Sequence, residues 1–330
     1  MTRTFEAIPG KREKVPLLAG LMGPSGGGKT MSALRLATGI QRVTGGDICV
    51  IDTESRRALH YADQFTFKHI AFAAPFGSLD YLDVLRFAAK DSGVVIVDSM
   101  SHEHEGDGGY LTTHDKEIER MAGDDYAKRE RVKMAGWIKP SANRRKLING
   151  ILQLNANFIF CFRAKEKTKP KTGGGIQEMG WMPIAGEEFL FEMTLNCLLP
   201  PQARGVPQWR SDFVGEKMMM KLPKQFEALF ADGRALDEAH GQALAEWARG
   251  TGKAEAPPPA VKAGAKTAEG WYHEAVASVM AAKSLPQLNA WIQANETKLA
   301  KLTKTDAVLA NKLQDIVNEQ MDSFNILAAG

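Results

Sequence analysis

Gly23-Pro24-Ser25-Gly26-Gly27-Gly28-Lys29-Thr30 is the stretch that decides the fold of this chain. It fits the pattern G-x-x-x-x-G-K-[ST], and it lies between an apolar run, Pro16 to Met22, and a helical stretch, Met31 to Ile40. Small residues let successive backbone N–H groups point at phosphate oxygens, and the start of the following helix also favours an anion. The stretch therefore predicts a phosphate-binding loop between a strand and a helix.

Two residues of this loop carry the expected chemistry. Lys29 is expected to reach the β- and γ-phosphates of a nucleoside triphosphate, and Thr30 to bind Mg²⁺ through its hydroxyl group. The cofactors predicted from the loop are ATP and Mg²⁺. Adenine is favoured over guanine only because no N-K-x-D motif follows the loop.

Two apolar runs that end in carboxylates supply further candidate residues. The run Val94 to Val97 is followed by Asp98, which is expected to hold Mg²⁺ opposite Thr30, usually through water. The run Ile48 to Ile51 is followed by Asp52-Thr53-Glu54. Glu54 is predicted to position and polarise the attacking water. Lys29 is predicted to contribute to catalysis through its contact with the phosphates. Two alternatives stay open for Asp52, namely an exchange of roles with Glu54 and a capping role at the strand end.

Short apolar runs alternate with helical stretches over residues 1–250, which predicts an α/β domain with a mostly parallel sheet flanked by helices. After Gly186 the pattern changes to strand-like runs without long helices, and these predict antiparallel strands that finish the same sheet. They are Phe189 to Leu199, Trp209 to Val214 and Met218 to Leu222. A helix from about Asp237 to Arg249 is expected to close this domain.

Residues 251–270 are rich in Ala, Pro and Lys and have almost nothing to bury, so they are predicted to form a linker. Residues 271–330 are predicted to be a small helical module, because apolar residues repeat there at intervals of three and four. The apolar stripe is predicted to form the core of the module, and pairing with a second copy is the alternative. Its members include Leu309, Leu313, Ile316, Val317, Met321 and Phe324.

The composition is that of a soluble globular protein, with 44% hydrophobic and 25% charged residues among 330. The chain has 42 Lys and Arg against 39 Asp and Glu. The resulting net charge of +3 does not indicate any class of binding partner. Three cysteines lie far apart in apolar runs, which argues against a disulfide framework. The chain has no apolar run of about 18 residues, so we expect a cytoplasmic protein without a membrane partner.

These motifs together resemble RecA-like ATPase cores, in which the phosphate loop, the segment Ile51 to Glu54 and the strand Val94 to Ser99 occur in this order and rough spacing. In that family the Glu after the second strand looks like the water activator, which maps onto Glu54. A closer likeness, to phage-encoded AAA-type or RecA-like ATP-binding proteins associated with single-strand annealing recombination, covers roughly residues 14–250. It rests on Ile51 to Glu54 with Tyr61-Ala62-Asp63, on Asp98 to Glu103 with Glu105-Gly106, and on Phe162 to Lys167.

The resemblance implies a RecA-like P-loop NTPase core with an added helical module. It implies a DNA-stimulated ATPase that acts on single-stranded DNA in phage recombination, repair or replication, in the host cytoplasm. Assembly into a homo-oligomeric ring or filament is expected, and the C-terminal module is expected to recruit a recombination protein. Two alternatives stay open, a small-molecule or nucleotide kinase and a nucleotide-gated adaptor with little turnover.

The run His102-Glu103-His104-Glu105 follows Asp98 closely and offers four ligand-type side chains. In an extended stretch the two His would share one face and the two Glu the other, which argues against zinc. His102 or Glu103 is instead predicted to sense the γ-phosphate, and a solvated loop is the alternative.

Arg163 and the lysines after it complete the set of candidates. Arg163 ends the strand Asn157 to Phe162, and it is predicted to contact the γ-phosphate or the nucleotide of a neighbouring subunit, with a surface salt bridge as the alternative. Residues Lys165 to Gly175 are predicted to form a mobile loop that contacts single-stranded DNA, with a solvated loop as the alternative. The lysines concerned are Lys165, Lys167, Lys169 and Lys171.

Overall fold

A computed structural model describes residues 13–171, 174–250, 268–280, 282 and 284–329. They form two compact units, one within Met1–Gly252 and one within Lys253–Gly330. Most of the predicted linker, residues 251–267, lies outside the described residues, and residues 268–270 already belong to a helix rather than to a linker. Over the described ranges, no helix has both the length and the apolar character that a membrane crossing needs.

The first unit is built on a seven-stranded sheet with the order β3-β2-β4-β5-β1-β7, and β6 pairs with β5 off this path. The strands are β1 (Leu18–Gly23), β2 (Asp47–Asp52), β3 (Lys68–Ala71), β4 (Ser92–Asp98), β5 (Asn157–Pro170), β6 (Ile176–Pro183) and β7 (Leu195–Leu198). All neighbours on the path pair in parallel, and β6 pairs with β5 in the antiparallel sense. The predicted mostly parallel sheet is confirmed.

Helices pack on both faces of this sheet, as the α/β prediction requires. Those of the first unit are α1 (Lys29–Thr44), α2 (Ser78–Asp91), α3 (Ser101–Glu105), α4 (Tyr110–Ala122), α5 (Tyr126–Val132), α6 (Ile138–Ile151), α7 (Glu187–Phe191), α8 (Val214–Met219) and α9 (Glu238–Ala248). Helices α1 and α9 contribute to the core on one face, and α2 and α6 to the core on the other.

Strand β4 explains how one apolar run serves both cores. Val94 and Ile96 pack into the core under α1, whereas Val95 and Val97 pack into the core under α2. Successive side chains of a strand point to opposite faces, so a strand covered on both sides must be apolar at every position. Asp98, the next residue, is the first at which the strand can present a carboxylate.

Helix α9 fixes the position of α1, the helix that begins at the phosphate loop. A Cβ atom on Gly241 would lie 2.1 Å from the carbonyl oxygen of Leu36, so the two helix backbones are too close for any larger residue. Asp237 caps α9 by accepting a hydrogen bond from the His240 backbone N–H over 3.0 Å. The predicted closing helix is therefore present with the expected bounds.

The antiparallel strands predicted after Gly186 are wrong. Phe189 and Leu190 belong to the short helix α7, and only Leu195–Leu198 forms a strand, which runs parallel to β1. The other two predicted runs form no strand. Isolated antiparallel bridges occur at Gln208, just before the first run, and at Lys221 in the second, and helix α8 covers Val214–Met219. Periodicity cannot separate a short buried helix from a short buried strand, which is the reason for the error.

The mobile loop predicted from Lys165 to Gly175 is also wrong in part. β5 continues to Pro170 and pairs with β6 as a β-hairpin, with Lys165 opposite Met182 and Lys169 opposite Gln177. Lysines are common on the exposed strands of a sheet because they prevent pairing with another chain. The composition of the segment indicated a loop, but the pairing partner β6 makes it a strand.

The second unit contains α10 (Ala268–Met280), α11 (Leu285–Thr305) and α12 (Ala307–Ala329). Leu288 of α11 and Leu313 of α12 are fully buried in its core, and the other members of the stripe predicted on α12 pack into the same core. The predicted helical module is confirmed, and its stripe lies inside the unit.

Candidate functional site

A cavity of about 530 Å³ opens at the carboxyl ends of the parallel strands. Its size falls within the range of small-molecule sites. The register brings Gly23 opposite Arg163, and Asp98 opposite both Asp52 and Cys161, so the ends of β1, β2 and β4 meet there beside the middle of β5. The walls are formed by Pro24, Ser25, Gly26, Gly28, Lys29, Thr30, Glu54, Arg57, Tyr61, Asp98, Glu105, Arg163, Ala164 and Ile184.

The predicted phosphate loop forms one wall of this cavity. Gly28 ends the loop with φ +94°, and a Cβ atom there would lie 2.7 Å from the Gly205 backbone nitrogen. Both facts require glycine at this position. Lys29 Nζ donates hydrogen bonds to the carbonyl oxygens of Gly23 and Pro24 over 2.9 and 2.8 Å, which holds the ammonium group over the loop. Burial lowers the pKa of Lys29, although nearby carboxylates oppose the shift.

Thr30 and Asp98 meet on the floor of the cavity. Thr30 Oγ1 donates a hydrogen bond to Asp98 Oδ2 over 2.5 Å. Burial raises the pKa of Asp98, against the opposing effects of the Thr30 hydrogen bond and the Lys29 charge. Hydroxyl and carboxylate oxygens are the ligands that Mg²⁺ prefers, so this pair fits the ion that the sequence predicts.

The structure separates the two acids that follow β2. Asp52 is buried and accepts hydrogen bonds from the backbone N–H groups of Glu54 and Ala58 over 2.7 and 2.9 Å, which is the capping role left open for it. Glu54 lies on the cavity wall. The geometry therefore favours Glu54 over Asp52 as the residue that can reach an attacking water.

Arg163 contacts Glu54, a pairing that the sequence did not indicate. Its guanidinium Nε donates to Glu54 Oε1 over 2.7 Å, and Arg57 approaches the second carboxylate oxygen at 3.4 Å. Burial alone would raise the pKa of Glu54, but the hydrogen bond and charge of Arg163 outweigh it and hold this pKa below its usual value. Arg163 thus lies at the cavity, as predicted, but its observed partner is an acid.

The run His102 to Glu105 is helical, so the extended arrangement predicted for it is wrong. The His102 side chain contacts Thr53, with 2.7 Å between His102 Nδ1 and Thr53 Oγ1. The imidazole ring of His102 stacks on the ring of Phe76. Burial lowers the pKa of His102, and the charge of Arg163 lowers it further. Among the described residues, no group of three or more His, Cys, Asp or Glu side chains is arranged to hold a metal ion.

Glu103 points away from the cavity and into a buried ion pair. Arg144 NH2 donates to Glu103 Oε2 over 2.8 Å, and both side chains are less than a tenth exposed. Ser78 Oγ also donates to Glu103, over 2.6 Å. This ion pair joins α3 to α6. It does not fit the prediction that Glu103 senses the γ-phosphate.

The four predicted DNA-binding lysines are exposed on the β5–β6 hairpin and its turn. Lys165 Nζ lies 3.7 Å from a carboxylate oxygen of Glu105, a residue of the cavity wall. Lys171 follows the strand, and its backbone N–H donates to the Gly175 carbonyl over 3.1 Å. The hairpin is therefore connected to the cavity through β5.

Tyr61 is a cavity residue to which the sequence analysis assigned no role. It ends a 3-10 helical turn, Arg57–Tyr61, that follows β2 and Glu54. An aromatic ring on a cavity wall offers a flat apolar surface for a planar ligand. The turn is too short to give a periodic signal, so the sequence marked Tyr61 only through the likeness of Tyr61-Ala62-Asp63 to annealing-associated ATPases.

A family model described as an AAA domain matches residues 16–196, more than half of the chain. The match begins just before β1 and ends within β7, so it includes every residue of the cavity wall. The comparison with curated proteins found no match.

Proposed function

The chain belongs to the AAA domain family of P-loop ATPases, and we propose that it couples ATP hydrolysis to the binding of single-stranded DNA. The proposed setting is phage recombination, repair or replication, as the resemblance to annealing-associated ATPases implies. One observation carries the proposal. Glu54, the candidate base, forms an ion pair with Arg163, and Arg163 lies on β5, the strand that continues into the lysine-bearing hairpin.

The residues of the cavity are proposed to supply the groups that ATP hydrolysis needs. Lys29 and the loop backbone would bind the β- and γ-phosphates, and Thr30 and Asp98 would hold Mg²⁺. The ion, when bound, offsets charge on the phosphate oxygens. Glu54 would accept a hydrogen bond from the attacking water and orient it in line with the γ-phosphate.

The ring of Tyr61 is proposed to stack on the base of the nucleotide. It lines the cavity together with Arg57 and the phosphate-loop residues. Stacking accepts any base, so it supports nucleotide binding without choosing between adenine and guanine.

The hairpin lysines are proposed to bind the phosphates of the DNA strand. Lys165, Lys167 and Lys169 are exposed and occur at every second residue of β5. Alternate residues of a strand share a face and lie about 6.6 Å apart at roughly 3.3 Å per residue. Contacts between lysines and phosphates depend on charge alone. DNA binding is therefore expected to be sensitive to salt and largely independent of the base sequence.

Assembly and location complete the proposal. A homo-oligomeric ring or filament is proposed, with the second unit recruiting a recombination protein, in the cytoplasm of the host cell. These statements rest on the resemblance to RecA-like proteins.

The test is steady-state ATP turnover with and without an oligothymidylate across a salt series. The proposal predicts that DNA stimulates turnover and that the stimulation falls as salt rises. The triple variant Lys165→Gln/Lys167→Gln/Lys169→Gln should lose the stimulation, whereas a matched triple on α11, Lys298→Gln/Lys301→Gln/Lys304→Gln, should keep it. Stimulation by a small phosphate acceptor instead of DNA would favour a kinase, and absence of DNA binding at low salt would contradict the proposal.

A further inference from the structure

Thr53 lies between Asp52 and Glu54 at the end of β2, and no role was assigned to it from the sequence. Its side chain is less than a tenth exposed. The Thr53 backbone N–H donates a hydrogen bond to the Asp98 carbonyl oxygen over 2.8 Å, and Thr53 Oγ1 accepts one from the Ser99 N–H over 2.7 Å. Thr53 therefore holds the peptide group that follows the Asp98 side chain, at both its oxygen and its nitrogen.

The Thr53 hydroxyl group contacts three polar groups, which matches its full hydrogen-bonding capacity. Besides the Ser99 N–H, Thr53 Oγ1 lies 2.7 Å from His102 Nδ1 and 3.1 Å from the Ser99 carbonyl oxygen. A hydroxyl group donates one hydrogen bond and accepts two. All three contacts are used when His102 donates from Nδ1 and Thr53 donates to the Ser99 carbonyl oxygen. The same carbonyl oxygen also accepts from the Tyr81 hydroxyl group over 2.9 Å.

We propose that the Thr53 hydroxyl group positions Asp98 to serve Mg²⁺, and that His102 orients this hydroxyl group. The chain before Asp98 is fixed by the sheet, because Asp98 pairs with Asp52 of β2 on one side and with Cys161 of β5 on the other. Thr53 fixes the chain after Asp98. This inference rests on the proposed ATP hydrolysis and adds two positioning residues that act on it through Asp98.

The task of the Asp98 carboxylate explains why its main chain must be held. It accepts a hydrogen bond from Thr30 Oγ1, and the same two side chains would hold Mg²⁺. Mg²⁺ tolerates little departure from octahedral geometry, so the groups that support the ion must be closely placed. Removal of a group that orients a metal-binding side chain typically lowers metal affinity by about 10- to 100-fold.

The effect of the hydroxyl group can be separated from the general support of this sheet edge. In Thr53→Val the backbone hydrogen bond from residue 53 to Asp98 can still form, because it does not involve the side chain. Asp52 can still accept from the Glu54 N–H, so the turn that carries Glu54 keeps its cap. The variant is therefore expected to disturb Asp98 and to leave the other parts of the cavity in place.

The first test measures binding of the non-hydrolysable analogue AMP-PNP by calorimetry, in Mg²⁺ and in EDTA. We call the ratio of the Kd in EDTA to the Kd in Mg²⁺ the Mg²⁺ enhancement. Thr53→Val, which keeps the side-chain shape, should lower this enhancement about tenfold, with the Kd in EDTA within about twofold. Thr53→Ser keeps the hydroxyl group and should retain the enhancement within about twofold. Equal weakening of binding in EDTA and in Mg²⁺ by Thr53→Val would overturn the inference.

Thr194→Val is the matched control. It removes another threonine hydroxyl group that accepts from a backbone N–H, that of Leu18, over 3.1 Å. Leu18 begins β1, whose opposite end at Gly23 leads into the phosphate loop. The Mg²⁺ enhancement should be unchanged in Thr194→Val. A loss as large as that in Thr53→Val would overturn the inference, since any threonine hydroxyl group in the sheet would then have the same effect.

The second test uses His102→Phe in the same assay. Phenylalanine keeps a ring that can stack on Phe76, which lies 4.9 Å from the His102 ring, and it removes the Nδ1 donor. The Mg²⁺ enhancement should fall about three- to tenfold, the effect of one lost hydrogen bond. Because His102 is proposed to act through Thr53, the double variant should match Thr53→Val within about twofold. Losses that multiply in the double variant would overturn the role of His102.

The inference and the proposed function fail in different ways. If the unmodified protein binds AMP-PNP with the same Kd in EDTA and in Mg²⁺, ATP hydrolysis at this cavity and the inference fall together. If Mg²⁺ strengthens binding equally in the unmodified protein and in Thr53→Val, only the inference falls. His102 is half-buried, so an unchanged enhancement in His102→Phe would overturn the inference even if Thr53→Val did not fold.

Discussion

Thr30 Oγ1 donates a hydrogen bond to Asp98 Oδ2 over 2.5 Å, although 68 positions separate the two residues in the chain. The contact joins the first turn of α1 to the end of β4, and it exists because β1 and β4 both flank β5 and end at one edge of the sheet. Parallel topology places groups from distant segments beside one phosphate loop. The remaining cavity residues follow from the same arrangement.

Lys29→Ala is expected to weaken ATP binding by about 100-fold, because the variant loses a charged hydrogen-bond donor to the phosphates. Calorimetry or displacement of a fluorescent nucleotide measures the change. Lys90→Ala, at an exposed position in the last turn of α2, is the control and should bind normally. Binding by Lys29→Ala with normal affinity would exclude the cavity as the nucleotide site.

Tyr61→Ala is expected to weaken nucleotide binding about tenfold, since removal of an aromatic platform costs on the order of 1 to 3 kcal/mol per stacked base. Tyr61→Phe keeps the ring and should bind within about twofold of the unmodified protein. The same titration measures both variants. A loss in Tyr61→Phe as large as in Tyr61→Ala would assign the effect to the hydroxyl group and not to stacking.

The acid limb of the pH–rate profile should respond to Arg163. Arg163 holds the pKa of Glu54 below its usual value against the effect of burial, so basal kcat should persist below the pH at which an ordinary glutamate becomes protonated. In Arg163→Gln the effect of burial on this pKa is opposed only by the charges of His102 and Arg57, and the acid limb should move to higher pH. Basal kcat measured from about pH 4 to pH 8 tests this. An unmoved limb would show that the titrating group is not Glu54.

Arg144→Met is expected to destabilise the first unit by about 3 to 5 kcal/mol, because Glu103 would be left as a buried charge without its partner. Adding Glu103→Leu should recover part of the loss, since a buried ion pair is often replaced by apolar residues at little cost. Urea unfolding of the single and double variants measures the difference. Equal stability of the two variants would argue against the buried pair as the cause.

The sequence predicted the parts of the site that local patterns encode. The phosphate loop has a fixed motif, and β2 and β4 are buried runs that end in acids, so Lys29, Asp98 and Glu54 were all expected at one edge. Each of them lies there. The order of the strands was not needed for this step, because parallel strands end at the same edge in any order.

Contacts between distant segments could not be predicted. The pairing of Arg163 with Glu54, and of Glu103 with Arg144, depends on side-chain directions that no motif encodes. The hairpin was mistaken for a loop because a lysine-rich edge strand has the composition of a loop. The short helix α7 was mistaken for a strand because five residues give no periodicity.

The central claim is that the cavity hydrolyses ATP with Glu54 as the group that orients water. The most direct measurement compares ATP binding and single-turnover hydrolysis in the unmodified protein and in Glu54→Gln. The account predicts binding within about twofold and hydrolysis slower by roughly 10² to 10⁴, the range for loss of a general base. Hydrolysis by Glu54→Gln at the rate of the unmodified protein would contradict it.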